Sequence, residues 1–314
     1  MKKFLLIAFF ALSALLIYTG CDKFDKLISS LIVGLTTENY PKMDGSTSTE
    51  PLNAIIFCKL FDIDYKWVPE FYNLQKIEPK LNKRDTEKFL KLIKNSGTHQ
   101  SYLNLIDKKA DLILNARKIS SDEKAYAEAN GVSLIETPIA TDALIFIINP
   151  LNPITSLTSE QIQDIYTGKI TNWKEVGGKD AEIIPYVRNA NSGSQELMEE
   201  FFDVADFPVS RDELIIFNMT GAFDAIEGDV NAICYTVFYY KENIAPGYNA
   251  KSVTVDGVYP SKETISNKSY PYVAPVYAVI RSDLDKLSMA NKLYEWLLTE
   301  AGRQTIIESG YVPY

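Results

Sequence analysis

The chain has 314 residues, with 32 Lys and Arg against 41 Asp and Glu, a formal charge of −9, one His and three Cys. This acidic balance, with no basic run interleaved with aromatics, counts against nucleic-acid binding. One histidine and scattered thiols give neither a metal-ligand cluster nor a disulfide framework, and a Ser-His-acid triad would have to use His99 with no G-x-S-x-G elbow present.

Residues 1–20 read as an export signal. Lys2 and Lys3 form a basic start, Phe4 to Tyr18 an apolar core short for a membrane span, and Thr19-Gly20-Cys21 a small-residue cleavage site. A thiol directly after a small residue resembles the bacterial lipoprotein lipobox, in which Cys21 is lipidated and becomes the mature N-terminus. Tyr18 stands where that pattern usually has Leu, and a plain secretory signal or an uncleaved anchor is the alternative. Residues 21–37 would then be a tether.

The remainder, too long for one compact core, predicts two lobes. Helices are expected from Pro51, over Thr86 to Lys94, from Thr98 and over Asp122 to Asn130, with strands at Asp111 to Asn115 and Ala143 to Asn149. Thr158-Ser-Glu-Gln161 is a capping-box pattern opening a helix that stops at Gly168. Strands Ile183 to Val187 and Ala232 to Tyr240 follow, and a last helix spans Ser288 to Ser309 before Gly310. Strands alternating with helices imply an α/β protein with covered sheets. Cys58 and Cys234 sit in apolar runs and read as buried free thiols, a bridge being the alternative.

One stretch organises the rest. Val187 to Phe202, VRNANSGSQELMEEFF, places a β-type run, a cation and a Ser-Gly-Ser turn before a helix whose apolar face is Leu197, Met198, Phe201 and Phe202. The first N–H groups of such a helix lack intrahelical partners, and Arg188 adds charge beside them. Asp44 to Leu52, DGSTSTEPL, and Asn95 to Ile106, NSGTHQSYLNLI, repeat the device with Pro51 and Thr98 at helix starts. A single loop of this kind is an ordinary helix cap; three suggest N-termini converging on a shared anion.

Residues 155 to 202, TSLTSEQIQDIYTGKITNWKEVGGKDAEIIPYVRNANSGSQELMEEFF, resemble the second lobe of the phosphate-specific ABC-transporter substrate-binding proteins. Their pattern is a short helix, GKITNWKEVGG, a strand, then Arg-x-x-x-Ser-Gly-Thr. DGSTSTEP, NSGT at 95–98, DLILNARKIS at 111–120 and VYPSKETISNKSYPYVAPVYAVI at 258–280 extend the similarity over nearly all of 40–314. The resemblance implies a type II periplasmic-binding-protein fold with two α/β lobes and two crossover strands. Lobe 1 would comprise 38–141 plus 271–314 and lobe 2 142–270, with crossovers near Pro138 to Ala143 and Tyr270 to Val276.

It also implies an oxyanion held by uncharged donors and one arginine: Thr49 with the Glu50 backbone, Thr98, then Arg188, Ser192, Gly193 and Ser194. Phosphate as ligand and an ABC permease as partner follow from the same source, whereas the export signal and Cys21 imply an extracytoplasmic location with a lipid anchor, and the missing base and ligand cluster imply no catalysis and no metal; no cofactor is expected. A lipid-anchored oxyanion sensor or surface protein not coupled to transport is the alternative. The family's loop acid, which accepts a proton from phosphate, falls on Ala116, and an acid often following the arginine falls on Ala190. Asn115 or Glu50 could take over as acceptor, and Arg117 offers a second cation.

Overall fold

The computed structural model describes residues 32–71, 73–202 and 212–314. Cys21, the export signal and most of the tether lie outside them. Everything described is arranged along one strand, Leu134–Ile148, 15 residues long. Up to Ala143 it pairs antiparallel with Val273–Arg281, which also pairs antiparallel with Leu112–Asn115, itself parallel to Met43–Gly45. From Leu144 onward it pairs antiparallel with Ala232–Val237, itself parallel to Ile184–Pro185. One strand thus serves two sheets, and this is the two-lobed α/β fold expected from the sequence.

The ladder slips beside the exchange of partners: Tyr277 faces Pro138 while Val276 faces Ala140. A bulge suits Pro138, which has no N–H to give to a ladder. Apolarity alone marked only Ala143 to Ile148 of this strand, a fully apolar, buried run, because Leu134 to Pro138 include Glu136 and Thr137 and stay half-buried.

Other departures have local causes. Asn82, not the region of Thr86, caps the helix Lys83–Leu92, accepting from the Asp85 amide at 3.0 Å. The last helix is two, Met289–Leu297 and Glu300–Glu308. Between them the Thr299 hydroxyl donates to the Trp296 carbonyl and accepts from the Gly302 amide, and a Cβ at Gly302 would lie 2.6 Å from Leu297 Cα. The strand expected at Ile183 to Val187 divides at Tyr186, because Ile184–Pro185 pairs with Ala232–Ile233 and Val187–Arg188 with Ile215–Ile216. Ala232–Val237 stops before Tyr240, where a short π-type turn, Tyr240–Ile244, begins. Thr158 forms both bonds of its capping box on the helix Ser159–Tyr166, and Gly168 follows with φ +75°.

Leu52, Ile55 and Ile56 are wholly buried in the helix Glu50–Leu60, each contributing about 1.5–3 kcal/mol of burial. Around the second sheet the core is aromatic, with Tyr166 and Tyr235 edge to face at 5.5 Å and Phe146 and Phe202 at 6.0 Å. Cys58 and Cys234 are buried and unbridged, and burial pushes both thiols up to about 12, which leaves them inert.

Candidate anion-binding cleft

The first loop is fixed by a carboxylate. Asp44 Oδ1 accepts from the Gly45 and Ser96 amides, both at 2.8 Å, and Oδ2 accepts from Asn104 Nδ2 at 2.7 Å. Two of the three anticipated loops are therefore tied together by one buried side chain. Gly45 has no room for a side chain, since a Cβ would meet Thr49 Oγ1 at 2.6 Å, and its carbonyl accepts from the Gly97 amide. After it, Thr47–Thr49 makes a 3-10 turn that leads into the helix Glu50–Leu60.

That turn corrects two site residues. Thr49 is fully buried, and its hydroxyl points back to the Ser46 and Leu114 carbonyls at 2.9 and 2.8 Å, holding the loop rather than facing the cleft. Glu50 lies outside as well, in a separate groove with Glu70 and Lys76. Ser46, Thr47 and Ser48 line the cleft in their place.

In the second loop Gly97 adopts φ +89°, open to glycine, and starts the helix Thr98–Ile106. Thr98 lines the cleft with its Oγ1 2.8 Å from Ser46 Oγ. Ser46 Oγ in turn accepts from the Ala116 amide at 3.0 Å and donates to Asn115 Oδ1 at 3.2 Å. Ala116 lines the cleft; Asn115 is fully buried beneath it, its Oδ1 also taken by Ser101 Oγ at 2.9 Å. Arg117 is not a cleft cation. It is 3% exposed and forks onto Glu123 with bonds of 2.8 and 2.7 Å.

The third loop carries the charge. Arg188 is 6% exposed, its amide donating to Tyr235 Oη at 2.9 Å, its Nε to the Ile216 carbonyl at 3.1 Å and its Nη1 to Ser194 Oγ at 3.0 Å. No carboxylate pairs with it among the described residues, and burial lowers its pKa, though a guanidinium stays protonated. Asn191 takes φ +63°, and Ser192 Oγ accepts from the Gln195 amide, so the helix Gly193–Phe202 opens toward the cleft. Gly193 meets the opposite wall: a Cβ there would sit 2.6 Å from Thr98 Oγ1.

Thr98, Arg188, Ser192, Gly193 and Ser194 are thus brought together around a cavity of about 470 Å³. A fourth helix, Met219–Gly228, aims its N-terminus at the same space; Asn218 caps it and Arg188 Nη1 approaches Met219 Sδ at 2.8 Å. The sequence reading missed it, although Asn218 directly before a run that includes Met219, Ala222 and Phe223 is an N-cap signal. Among the described residues lining the cleft, Arg188 and His99 can be positive and none is Asp or Glu. Helix N-termini and hydroxyls around one unpaired guanidinium favour a small anion.

Two α/β lobes meeting over such a cleft define a periplasmic-type solute-binding protein. Residues 74–301 match the PBP superfamily domain, and the chain belongs to that superfamily. Among curated proteins it is 30% identical over 184 residues to the phosphate-binding protein PstS of Borreliella burgdorferi, covering 56% of this chain and 65% of that one. It is 28% identical over 237 residues to the PstS of Staphylococcus epidermidis, covering 69% and 68%. Among solved structures it is similar to a phosphate ABC transporter substrate-binding protein of Clostridium perfringens with bound phosphate, at 27% identity and TM-score 0.63 over 87% of this chain and 98% of that one. An ABC-type phosphate transport receptor from Vibrio cholerae shares the fold at 20% identity and TM-score 0.60, over 86% and 98%. The resemblance carried by the motifs at 155–202 is borne out.

Proposed function

We propose that the chain is an extracytoplasmic binding protein that captures inorganic phosphate between its lobes and delivers it to an ABC permease. The observation that carries this is Arg188, a buried cation with no described carboxylate partner at the meeting point of helix N-termini. A buried unpaired charge is costly, and an anionic ligand relieves that cost. Relatives named for phosphate supply the ligand class.

In this reading Arg188 and Ser194 grip the anion from lobe 2 together with the amides of Ser192 to Ser194, and Ser46 to Ser48 with Thr98 grip it from lobe 1. Lobe 1 is taken as 38–141 plus 271–314 and lobe 2 as 142–270, hinging at the strands they share. Cys21 would carry the lipid that keeps the protein at the membrane. The protein binds and releases its ligand without chemistry. Native mass spectrometry of gently purified protein followed by calorimetric titration tests the reading. A phosphate-sized adduct and saturable phosphate binding are expected; a folded protein that takes up no phosphate would refute it.

A further inference from the structure

Phosphate near neutral pH carries at least one proton, so a dry site that prefers it needs an acceptor with a lone pair and no hydrogen of its own. Among the described residues the cleft offers no carboxylate for that task. We propose that His99 performs it: Nε2 of the imidazole accepts the P–OH of bound phosphate and thereby sets the preference over sulfate. This rests on the phosphate reading above.

The tautomer is decided by Glu123. His99 Nδ1 lies 3.0 Å from Glu123 Oε1. That carboxyl is fully buried, and it also accepts both arms of the Arg117 fork and the Ser120 amide. Burial opposes its charge, but the Arg117 pair and the Ser120 bond outweigh burial and hold it below the usual carboxylate range. An ionised carboxylate only accepts, so Nδ1 carries a hydrogen, and in the neutral form of the ring the lone pair is then on Nε2. His99 lines the cleft, and Nε2 has no partner among the described residues.

Several rival acceptors are occupied or shut away, and the Gln100 and Asn191 amides, which also line the cleft, can turn an N–H toward the anion as readily as an oxygen and so discriminate little. Asn115 Oδ1 already receives Ser46 and Ser101, and Asn218 Oδ1 receives the Gly221 amide and the Thr220 hydroxyl. Asn95 Oδ1 receives Asn53 Nδ2. Asn189 Oδ1 has no partner but is sealed from the cavity, and Glu50 faces another groove. The hydroxyls of Ser46 and Thr98 can rotate to serve either anion and so discriminate little.

The test is calorimetric titration of wild type, His99→Phe and His99→Gln with inorganic phosphate and with sulfate at one pH, after thermal melts establish that each variant is folded. His99→Phe should lower phosphate affinity at least tenfold and leave sulfate within twofold. Gln, whose amide oxygen restores an acceptor, should recover part of the phosphate preference. Equal losses for both anions would make His99 a cation or a wall, and no loss would place it off the ligand; either overturns the proposal. Because His99 is the sole histidine, its nitrogen-15 resonances provide a readout that needs no variant: Nε2 should shift on adding phosphate and stay in place on adding sulfate, and the same shift with both anions overturns the assignment. A wild type that binds neither anion overturns the phosphate reading as well, and is seen before any substitution is made.

Discussion

Replacing Arg188 with Ala should abolish tight anion binding while leaving the fold intact. The guanidinium is 6% exposed and keeps Nη1 and Nε on Ser194 Oγ and the Ile216 carbonyl at 3.0 and 3.1 Å, with no described carboxylate to neutralise it. Its charge is therefore available to a ligand. A pair of opposite unit charges about 4 Å apart at an effective dielectric near 20 interacts by roughly 4 kcal/mol, and truncating one partner of a buried charged pair costs about 2–5 kcal/mol. At about 1.4 kcal/mol per decade, the dissociation constant should rise about 30-fold to a few thousand-fold. Stability without ligand should change much less. Losing the bond to the Ile216 carbonyl costs about 1–3 kcal/mol, and removing an uncompensated buried cation offsets part of that. Calorimetric titration gives the affinity, and thermal melts with and without phosphate give the stability. A folded Arg188→Ala protein that binds phosphate within threefold of wild type would refute the assignment of Arg188 as the cleft cation.

Gly193→Ala puts a methyl group 2.6 Å from Thr98 Oγ1, so the lobes should fail to close fully; small-angle scattering should find a larger radius of gyration at saturation than in wild type, and an equal radius would count against closure through this contact. Asp142 sits where the long strand changes sheets, its Oδ1 accepting from the Ala143 and Tyr239 amides at 2.8 and 2.9 Å while Oδ2 is buried without a partner. Burial pushes this carboxyl up to about 7, opposed by the two amide bonds. The folded state therefore holds the proton more tightly than the unfolded chain, so the associated stability is fully present below about pH 4 and is lost as pH rises through about 7, on the order of 4 kcal/mol in all. Asp142→Asn should flatten the dependence of the denaturation midpoint on pH between about 4 and 7, and an unchanged slope would exclude Asp142 as its source. Cys21→Ser should release the protein from the detergent phase in a partitioning assay; a processed, shorter chain that still partitions with detergent would rule out lipidation at Cys21.

The three helix-opening loops were legible because small polar residues before an apolar helical face leave few other local structures open. Their register was harder. Thr49 and Glu50 missed the cleft because the Thr47–Thr49 turn rotates the start of the helix, and sequence does not say which residue of such a turn faces inward. Arg117 read as a free cation because its partner, Glu123, is brought to it by the packing of the helix Ser121–Ala129 against the helix Thr98–Ile106. His99 shows the same limit from the other side. Its role depends on Glu123, 24 residues away, and spacing alone does not bring those two side chains together. The sheets follow this rule on a larger scale: Leu144 to Ile148 announced themselves by apolarity, whereas the preceding residues became strand by pairing with Val273–Arg281, from the far end of the chain.

That pairing bears on how the molecule is made. Val273–Arg281 lies between Leu112–Asn115 and Leu134–Ile148, so the sheet of the N-terminal lobe has a gap until the chain has been synthesised past Arg281. The sheet that Leu144 to Ile148 form with Ala232–Val237, Ile184–Pro185 and Lys251–Ser252 is complete by then and can assemble first, and the other sheet closes around the returning segment. Leu112 and Ile113, wholly buried in the finished protein, stay uncovered on that side for most of synthesis. A chain truncated before Val273 would present that open strand edge permanently, to chaperones or to other copies of itself.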